Sequence, residues 1–515
     1  MKTSKKLAGL LLALVMVLTM AIPAFAAGEK YTVTINNSVE GHTYEAYQIF
    51  AGDLAEKDGK TVLSNITWGN GVDGAALLAE LKTQAAFAAC TTAADVAEVL
   101  HNIANDSEMA QSFAQIAGKH LAAVAGTSTF TDGKYTISNL DAGYYLVKDQ
   151  DGSVTGDDSY TRFILEVVND VTATPKSSKP AVEKKVEDIN DSTGDASDWQ
   201  DSADYDIGDS VPFRLIGTLP STYVDYKTYK YIFHDTLSDG LTYNNDAKVY
   251  VENDGEERID VTDQFTITET DGTLTVSIAD LKTIVSVNSM SKITVEYTAT
   301  LNINAVIGSA GNPNTVNLEY SNNPNMGGEG ETGTTPDDTV IVFTYKTVIN
   351  KVDGEGNPLT GAEFTLEKFV KGDDGVDEYN TVKGTWTPID VVKNAEGTEF
   401  TFKGLDDGIY RLTESVTPAG YNTIESIVFT VNAEHDILAD NPALTSLTGE
   451  AVTGLITFTP VLAEGALTTD VVNNAGSILP STGGIGTTLF YVFGALLVIG
   501  AGVLLVVKKR MSVTK

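Results

Sequence analysis

Along most of this chain apolar and polar residues alternate in short runs and do not recur at helical spacing. Stretches rich in Val, Ile, Thr, Tyr and Phe are punctuated by Gly, Asn, Asp and Thr. Alternation of period two between turn residues is the signature of half-buried strands. The pattern predicts an all-β protein of tandem immunoglobulin-like β-sandwich domains. Helical spacing occurs in one region only. Ala75 to Leu81 follow a capping candidate, Asp73; Val96, Val99, Leu100 and Ile103 form a second stripe, and Ala110, Phe113, Ala114 and Ala117 a third. These predict short helices inserted in the first domain, their apolar stripes facing its core and not lining a ligand site.

Two longer apolar runs break the alternation, one at each end. Residues 7–22 follow the basic Lys2, Lys5 and Lys6 and precede Pro23-Ala24-Phe25-Ala26, so residues 1–26 read as a secretory signal peptide with a small-residue cleavage site. Residues 489–507 follow Leu479-Pro480-Ser481-Thr482-Gly483 and end at Lys508-Lys509-Arg510. At about 1.5 Å per residue that run spans roughly 28 Å, enough for one transmembrane helix. The basic cluster places the short tail of 484–515 in the cytoplasm.

The intervening chain divides by composition into an N-terminal domain of 27–175, a middle domain of 176–343 and a C-terminal domain of 344–476. A linker rich in turn residues, Thr174-Pro175-Lys176-Ser177-Ser178-Lys179-Pro180, marks the first boundary. Residues 327–338, rich in Gly, Thr, Glu and Asp, read as a loop late in the middle domain. An internal repeat aligns Leu140-Asp141-Ala142-Gly143-Tyr144-Tyr145-Leu146-Val147-Lys148-Asp149 with Leu405-Asp406-Asp407-Gly408-Ile409-Tyr410-Arg411-Leu412-Thr413-Glu414. Both copies read as a turn and a strand ending on an acid, which relates the first and third domains.

Composition narrows the function. The formal net charge is −36, and the two terminal segments hold basic residues without Asp or Glu, so the mature chain is more acidic still. Nucleic acid and anionic membrane surfaces are excluded as partners. Cys90 is the single cysteine, so no intramolecular disulfide is available to an exported protein that would commonly use them. The five histidines form no His-Glu-x-x-His, and Gly-x-Ser-x-Gly and cysteine pairs are missing; the chain is not expected to be an enzyme. The acidic run Asp188, Asp191, Asp195, Asp198, Asp201, Asp204 and Asp206 lacks the spacing of a calcium loop and reads as a solvated loop. No metal or cofactor is expected.

The C-terminal order of Leu-Pro-x-Thr-Gly, apolar helix and basic stop resembles the cell-wall sorting signal read by sortases. The third domain opens with Lys351-Val352-Asp353 and Pro358-Leu359-Thr360-Gly361-Ala362-Glu363-Phe364, continues through Tyr410-Arg411-Leu412-Thr413-Glu414 and Pro418-Ala419-Gly420-Tyr421, and ends in Asn473-Asn474-Ala475-Gly476. It resembles the Cna-B-like domain of Gram-positive pilins. The middle domain holds Pro180-Ala181-Val182-Glu183-Lys184, Phe233-His234-Asp235-Thr236-Leu237 and Asn314-Thr315-Val316-Asn317-Leu318-Glu319-Tyr320-Ser321-Asn322, similar to the isopeptide-forming fimbrial domain of the same proteins. Gly41-His42-Thr43-Tyr44-Glu45-Ala46-Tyr47-Gln48-Ile49-Phe50, with Trp68-Gly69, is similar to their first domain. The resemblance, to sortase-assembled major (backbone) pilins, covers essentially the whole chain and implies Cna-type sandwiches.

It further implies a structural subunit of a pilus shaft that supports adhesion. A sortase would cleave between Thr482 and Gly483, release 484–515, and pass the threonine carbonyl to an amine. The implied partners are that sortase, identical subunits in a covalent polymer, minor pilins, peptidoglycan and an unknown host receptor. Val171-Thr172-Ala173-Thr174-Pro175-Lys176 stands where the family has Val-x-Val-Tyr-Pro-Lys, with Thr174 in place of the tyrosine; it nominates Lys176 for the intermolecular linkage, with Lys179 as competitor. A wall-anchored adhesin that does not polymerise is the alternative; the lysine motif and the three-domain layout favour the shaft.

Each such sandwich can lock itself through a Lys–Asn isopeptide bond assisted by a buried acid. Burial favours a neutral, nucleophilic lysine and a protonated carboxyl able to donate to the amide carbonyl. In the middle domain alternation selects the residues. Val182, Lys184 and Val186 share one face; Phe233, Asp235 and Leu237 share another. Asn314 falls with Val316, Leu318 and Tyr320, whereas Asn317 falls on the wet side. The set is Lys184, Asp235 and Asn314. In the third domain apolar residues occupy both faces around Lys351, so Lys351, Glu414 and Asn473 rest on the resemblance alone. In the first domain Asp149 matches Glu414, but Lys30 is out of phase with Tyr31, Val33 and Ile35, and no bond is expected.

Overall fold

A computed structural model of the chain describes residues 28–57, 59–104, 107–154, 156–175, 178–326, 331–376, 382–476 and 491. The signal 1–26, Lys176, the sorting motif 479–483 and, apart from Tyr491, the tail 484–515 lie outside the described residues. Within them, no helix is long and apolar enough to cross a membrane.

Six multistranded sheets, paired two by two, account for most of the chain. In the first unit, Thr129–Thr131, Lys134–Leu140, Tyr31–Ile35 and Val171–Ala173 form one sheet, and Lys60–Trp68, Tyr44–Lys57, Gly143–Asp149 and Arg162–Val167 the backbone of the other. Gly143–Asp149 is buried at all positions because its sheet is covered on both faces. Tyr145 and Val147 pack with Val33, Ile35 and Ile137 between the sheets. Tyr144 and Leu146 pack with Leu77, Val96 and Phe113 under the helices. The helices are Gly74–Leu81, Ala93–His101 and Glu108–Lys119. Asp73 caps the first by accepting from Ala75 and Ala76 N–H at 3.2 and 3.1 Å. Thr92 and Asp95 cap the second reciprocally, and Ser107 caps the third.

The middle unit follows strict alternation. Ser210–Gly217 and Lys292–Leu301 send Phe213, Leu215, Val295 and Tyr297 inward from one sheet, and Tyr231–Leu237 and Asn312–Ser321 send Phe233, Val316 and Leu318 inward from the other. In the third unit the opening strand Tyr345–Asp353 lies parallel to the closing strand Ala466–Asn473 and antiparallel to Glu399–Leu405. The first unit repeats this arrangement, with Tyr31–Ile35 parallel to Val171–Ala173 and antiparallel to Lys134–Leu140. The sequence repeat carries a shared bond as well: Tyr145 donates to Asp141 O at 2.8 Å and Tyr410 to Asp406 O at 2.9 Å.

The acidic run is not a solvated loop. Asp195 and Asp198 are exposed, but Asp204 and Asp206 are buried because the segment lies against the third unit. Ile207 N–H donates to Gly404 O at 3.1 Å, Asp201 N–H to Ile437 O at 2.9 Å, and Asp406 N–H to Asp206 Oδ1 at 3.0 Å. Lys368, from the third unit and only 2% exposed, places its ammonium 2.5 Å from Asp206 and 2.7 Å from Asp406. Burial alone would lower its pKa, but the two carboxylates raise it. Residues 327–338, read as a loop, include a short strand, Thr332–Thr334, paired with Asn312–Ser321.

Removing one partner of a buried ionic cluster leaves uncompensated charge, at a cost of about 3–5 kcal/mol. Lys368→Met is therefore expected to lower the unfolding free energy of the joined middle and third units by that amount, seen as a lower urea midpoint. An unchanged midpoint would show that other contacts hold the joint.

Candidate functional site: two buried clusters of lysine, acid and asparagine

The middle cluster spans the gap between sheets. Lys184 stands on Val182–Val186, next to Ser210–Gly217, with Lys184 opposite Leu215. Asp235 and Asn314 stand on neighbouring strands of the facing sheet, Asp235 opposite Val316 and Leu237 opposite Asn314. All three side chains are sealed from solvent. Lys184 Nζ lies 2.5 Å from Asp235 Oδ1 and 3.2 Å from the hydroxyl of Tyr297. That hydroxyl donates to Asp235 Oδ2 at 2.5 Å and accepts from Asn314 Nδ2 at 2.7 Å. Asn314 Oδ1 is buried and accepts no hydrogen bond. Burial in this apolar surround pushes the Lys184 pKa down, with Asp235 pulling the other way. The amine sits 5.2 Å from the centre of the Phe213 ring.

Tyr297 connects the lysine, the acid and the amide, and sequence reasoning missed it. Its signal was present: Ile293, Val295, Tyr297, Ala299 and Leu301 form one inward row, in which the phenol is the single polar group. A tyrosine in a strand ordinarily reads as core, so nothing short of its neighbours reveals the hydroxyl's task.

The third cluster is arranged differently. Lys351 and Asn473 come from adjacent parallel strands of one sheet, where Lys351 pairs with Val471 and Asp353 with Asn473. Glu414 reaches across from Gly408–Val416 in the other sheet. Lys351 Nζ donates to Asn473 Oδ1 at 2.7 Å and to Val471 O at 2.8 Å. Asn473 Nδ2 donates to both Glu414 oxygens, at 2.8 and 3.0 Å. Thr417 also donates to Glu414, at 3.1 Å. Desolvation pushes Lys351 down to about 8, partly offset by the charge of Glu414. In both clusters the acid side faces the amide nitrogen, through Tyr297 in one and directly in the other, and not the carbonyl oxygen that sequence reasoning expected. A carboxylate can only accept, so it turns toward the NH₂ donors.

The first unit holds a different group at the matching place. Asp149 is sealed in, and its oxygens take His42 Nδ1 at 2.8 Å and Thr161 N–H and hydroxyl at 2.7 and 2.9 Å. Burial opposes charge on His42, but Asp149 and Asp158 raise its pKa to about 9. Lys30 is on the surface, paired with Asp141 at 2.8 Å. Lys179 is about half exposed, with its amine against Asp157.

Comparison with known proteins finds pilin domains along the chain. Residues 207–324 match the model of the Gram-positive pilin backbone subunit 2, Cna-B-like domain, residues 346–441 that of the SpaA prealbumin-like fold domain, and residues 472–512 that of the LPXTG cell wall anchor motif. The chain carries the domains of a Gram-positive backbone pilin. Over 412 residues it is 26% identical to the trypsin-resistant surface T6 protein of Streptococcus pyogenes serotype M6, covering 66% of this chain and 71% of that protein. The solved T6 backbone pilin of serotype M6 Streptococcus pyogenes, a modular three-domain structure, shares the fold with a TM-score of 0.53 at 19% identity, over 88% of this chain and 100% of that one. The pilin domains, the wall-anchor motif and the pilin relatives support a structural, cell-wall-anchored subunit of a pilus shaft.

A lysine whose folded pKa lies below its unfolded value of about 10.4 binds fewer protons in the native state, so stability rises with pH between the two values. For Lys351 that window runs from about 8 upward. In Asn473→Ala, which keeps the amine unbonded, the third unit is expected to gain stability in urea titrations from pH 8 toward pH 10. The gain should vanish when Lys351→Met is added.

Proposed function

We propose that this pilin is exported by residues 1–26, held in the membrane by the apolar run 489–507, and joined into a covalent shaft by a sortase. The observation that carries the reading is the pair of buried Lys–acid–Asn clusters in a chain whose C-terminal segment matches a wall anchor. The sortase cuts between Thr482 and Gly483 and joins the Thr482 carbonyl to the Nζ of Lys176 in the next subunit. Pro175 favours an extended approach to that lysine. In this reading 27–175, 176–343 and 344–476 are successive shaft segments, and minor pilins, peptidoglycan and a host receptor complete the partners.

The two clusters act as self-made locks. At the middle one, the Lys184 ammonium passes a proton to Asp235, and the neutral amine attacks Cγ of Asn314. The new C–N bond forms as the Cγ–Nδ2 bond breaks; Nδ2 takes the proton held on Asp235, through Tyr297, and leaves as ammonia, while the lysine nitrogen gives up its second proton to Asp235, which ends protonated beside a neutral amide. Lys351, Glu414 and Asn473 follow the same course, with Glu414 serving the leaving nitrogen directly. Fixed strands hold amine and amide together, which substitutes for an external catalyst. The third lock closes a loop of 122 residues. By analogy with a disulfide of similar span, a loop of about 100 residues gains up to ~4–5 kcal/mol of stability.

Mass spectrometry tests the locks. The mature monomer is expected to weigh two ammonias less than its sequence. Asp235→Ala and Glu414→Ala should each restore one ammonia and speed cleavage by trypsin, and Tyr297→Phe should slow the middle reaction without moving the third. A full sequence mass in the wild type would remove both locks from the account.

Immunoblots of wall extract test the polymer. Wild type should give a ladder resistant to boiling detergent, Thr482→Ala should leave unprocessed chain in the membrane fraction, and Lys176→Ala should collapse the ladder to monomer. Loss only with Lys179→Ala would move the linkage to that residue. A single band in the wild type would leave an anchored adhesin.

A further inference from the structure

Where the acidic segment of the middle unit lies against the third, two acidic groups form, and they differ in what neutralises them. Asp191, Asp206, Asp209 and Asp406 offer oxygens within 4.8 Å of one another. The Lys368 ammonium lies among them, 2.7 Å from Asp406 and 3.5 Å from Asp191. That group already holds its cation.

The other group has no such partner. Asp188 and Asp204 from the middle unit meet His435 from the third, again with ligand atoms within 4.8 Å. Asp407, whose N–H donates to Asp204 Oδ2 at 3.3 Å, adds another carboxylate nearby. Among the described residues neither Asp188 nor Asp204 forms an ion pair with lysine or arginine. The side chains of His435 and Asp204 are 7% and 4% exposed.

The imidazole's orientation is the independent observation. The single hydroxyl proton of Ser202 goes to Asp436 O at 2.7 Å, so Ser202 Oγ meets His435 Nδ1, also at 2.7 Å, as an acceptor. Nδ1 therefore carries a proton, and Nε2 is left facing Asp188 Oδ2 at 3.7 Å and Asp204 Oδ1 at 3.8 Å. These separations are too long for hydrogen bonds. Nε2 and two acidic groups converging across them need positive charge between them, which a bound cation would supply in place of a further proton. Two atoms each about 2.1 Å from a tetrahedral metal ion lie roughly 3.4 Å apart, close to the spacing found here. The fully buried Tyr345 turns its hydroxyl toward Asp204, with the charges of Asp407 and Asp188 nearby.

We infer that Asp188, Asp204 and His435 bind one divalent transition-metal ion that ties the middle unit to the third. The mixed nitrogen and oxygen set suits zinc or manganese, whereas calcium takes oxygen ligands. Ser202, holding the far ring nitrogen, has the role of an outer partner that fixes a histidine ligand.

The mature chain, stripped with EDTA, is titrated calorimetrically with zinc, manganese and calcium chlorides. One zinc or manganese ion should bind per chain. His435→Gln should weaken that binding at least tenfold while leaving the thermal midpoint in EDTA unchanged, and Asp204→Asn should do the same if it folds. Absence of saturable zinc or manganese binding in the wild type, or binding that His435→Gln leaves unaltered, would overturn the site.

Discussion

The structure depends on placing a lysine amine where water cannot reach it. An ammonium in an apolar core is costly, and only a nearby acid or a change of protonation state makes it tolerable. The chain meets that constraint in three ways. Lys184 rests on Asp235 and loses basicity to burial. Lys351 leans on carbonyl and amide oxygens, with Glu414 one residue removed. Lys368 stays firmly charged between Asp206 and Asp406. The first two environments favour a nucleophile and have an asparagine at hand; the third favours a permanent ion pair. Under the proposed locks the same residue type serves chemistry in the sandwich interiors and cohesion at the joint, and its neighbours decide which.

Strand order brings the lysine, acid and asparagine of each cluster together. In the third unit the opening and closing strands are neighbours, so residues 122 positions apart touch without any long side chain bridging layers. In the middle unit the lysine and the asparagine face each other from opposite sheets, and a tyrosine fills the distance. One geometry delivers the acid directly to the amide and the other through a phenol.

Much of this was legible before any coordinates. Alternation separated Lys184 from Lys185 and Asn314 from Asn317, because one face of each strand meets a core and a shift of one residue reverses the face. It failed around Lys351, where both faces of the opening strand carry apolar residues. The helices were readable from their stripes and from Asp73, since each covers the second face of a sheet. Tyr297 escaped because a phenol's polar end is invisible in a pattern of apolar positions. The acidic run was misread for a related reason. Composition reports how much charge a segment carries but not what docks on it, and both Lys368 and His435 come from the third unit, far along the chain.

The parallel pairing of Tyr345–Asp353 with Ala466–Asn473 also has a mechanical meaning. In a fibre pulled along its axis, force enters this unit at the start of the first strand and leaves at the end of the last. Parallel neighbours loaded from opposite ends are sheared, so their ladder of hydrogen bonds resists as a set and does not unzip one bond at a time. The first unit has the same pairing between Tyr31–Ile35 and Val171–Ala173, but a shaft linked through Lys176 carries its load past that unit, so it is the third that meets axial tension in shear.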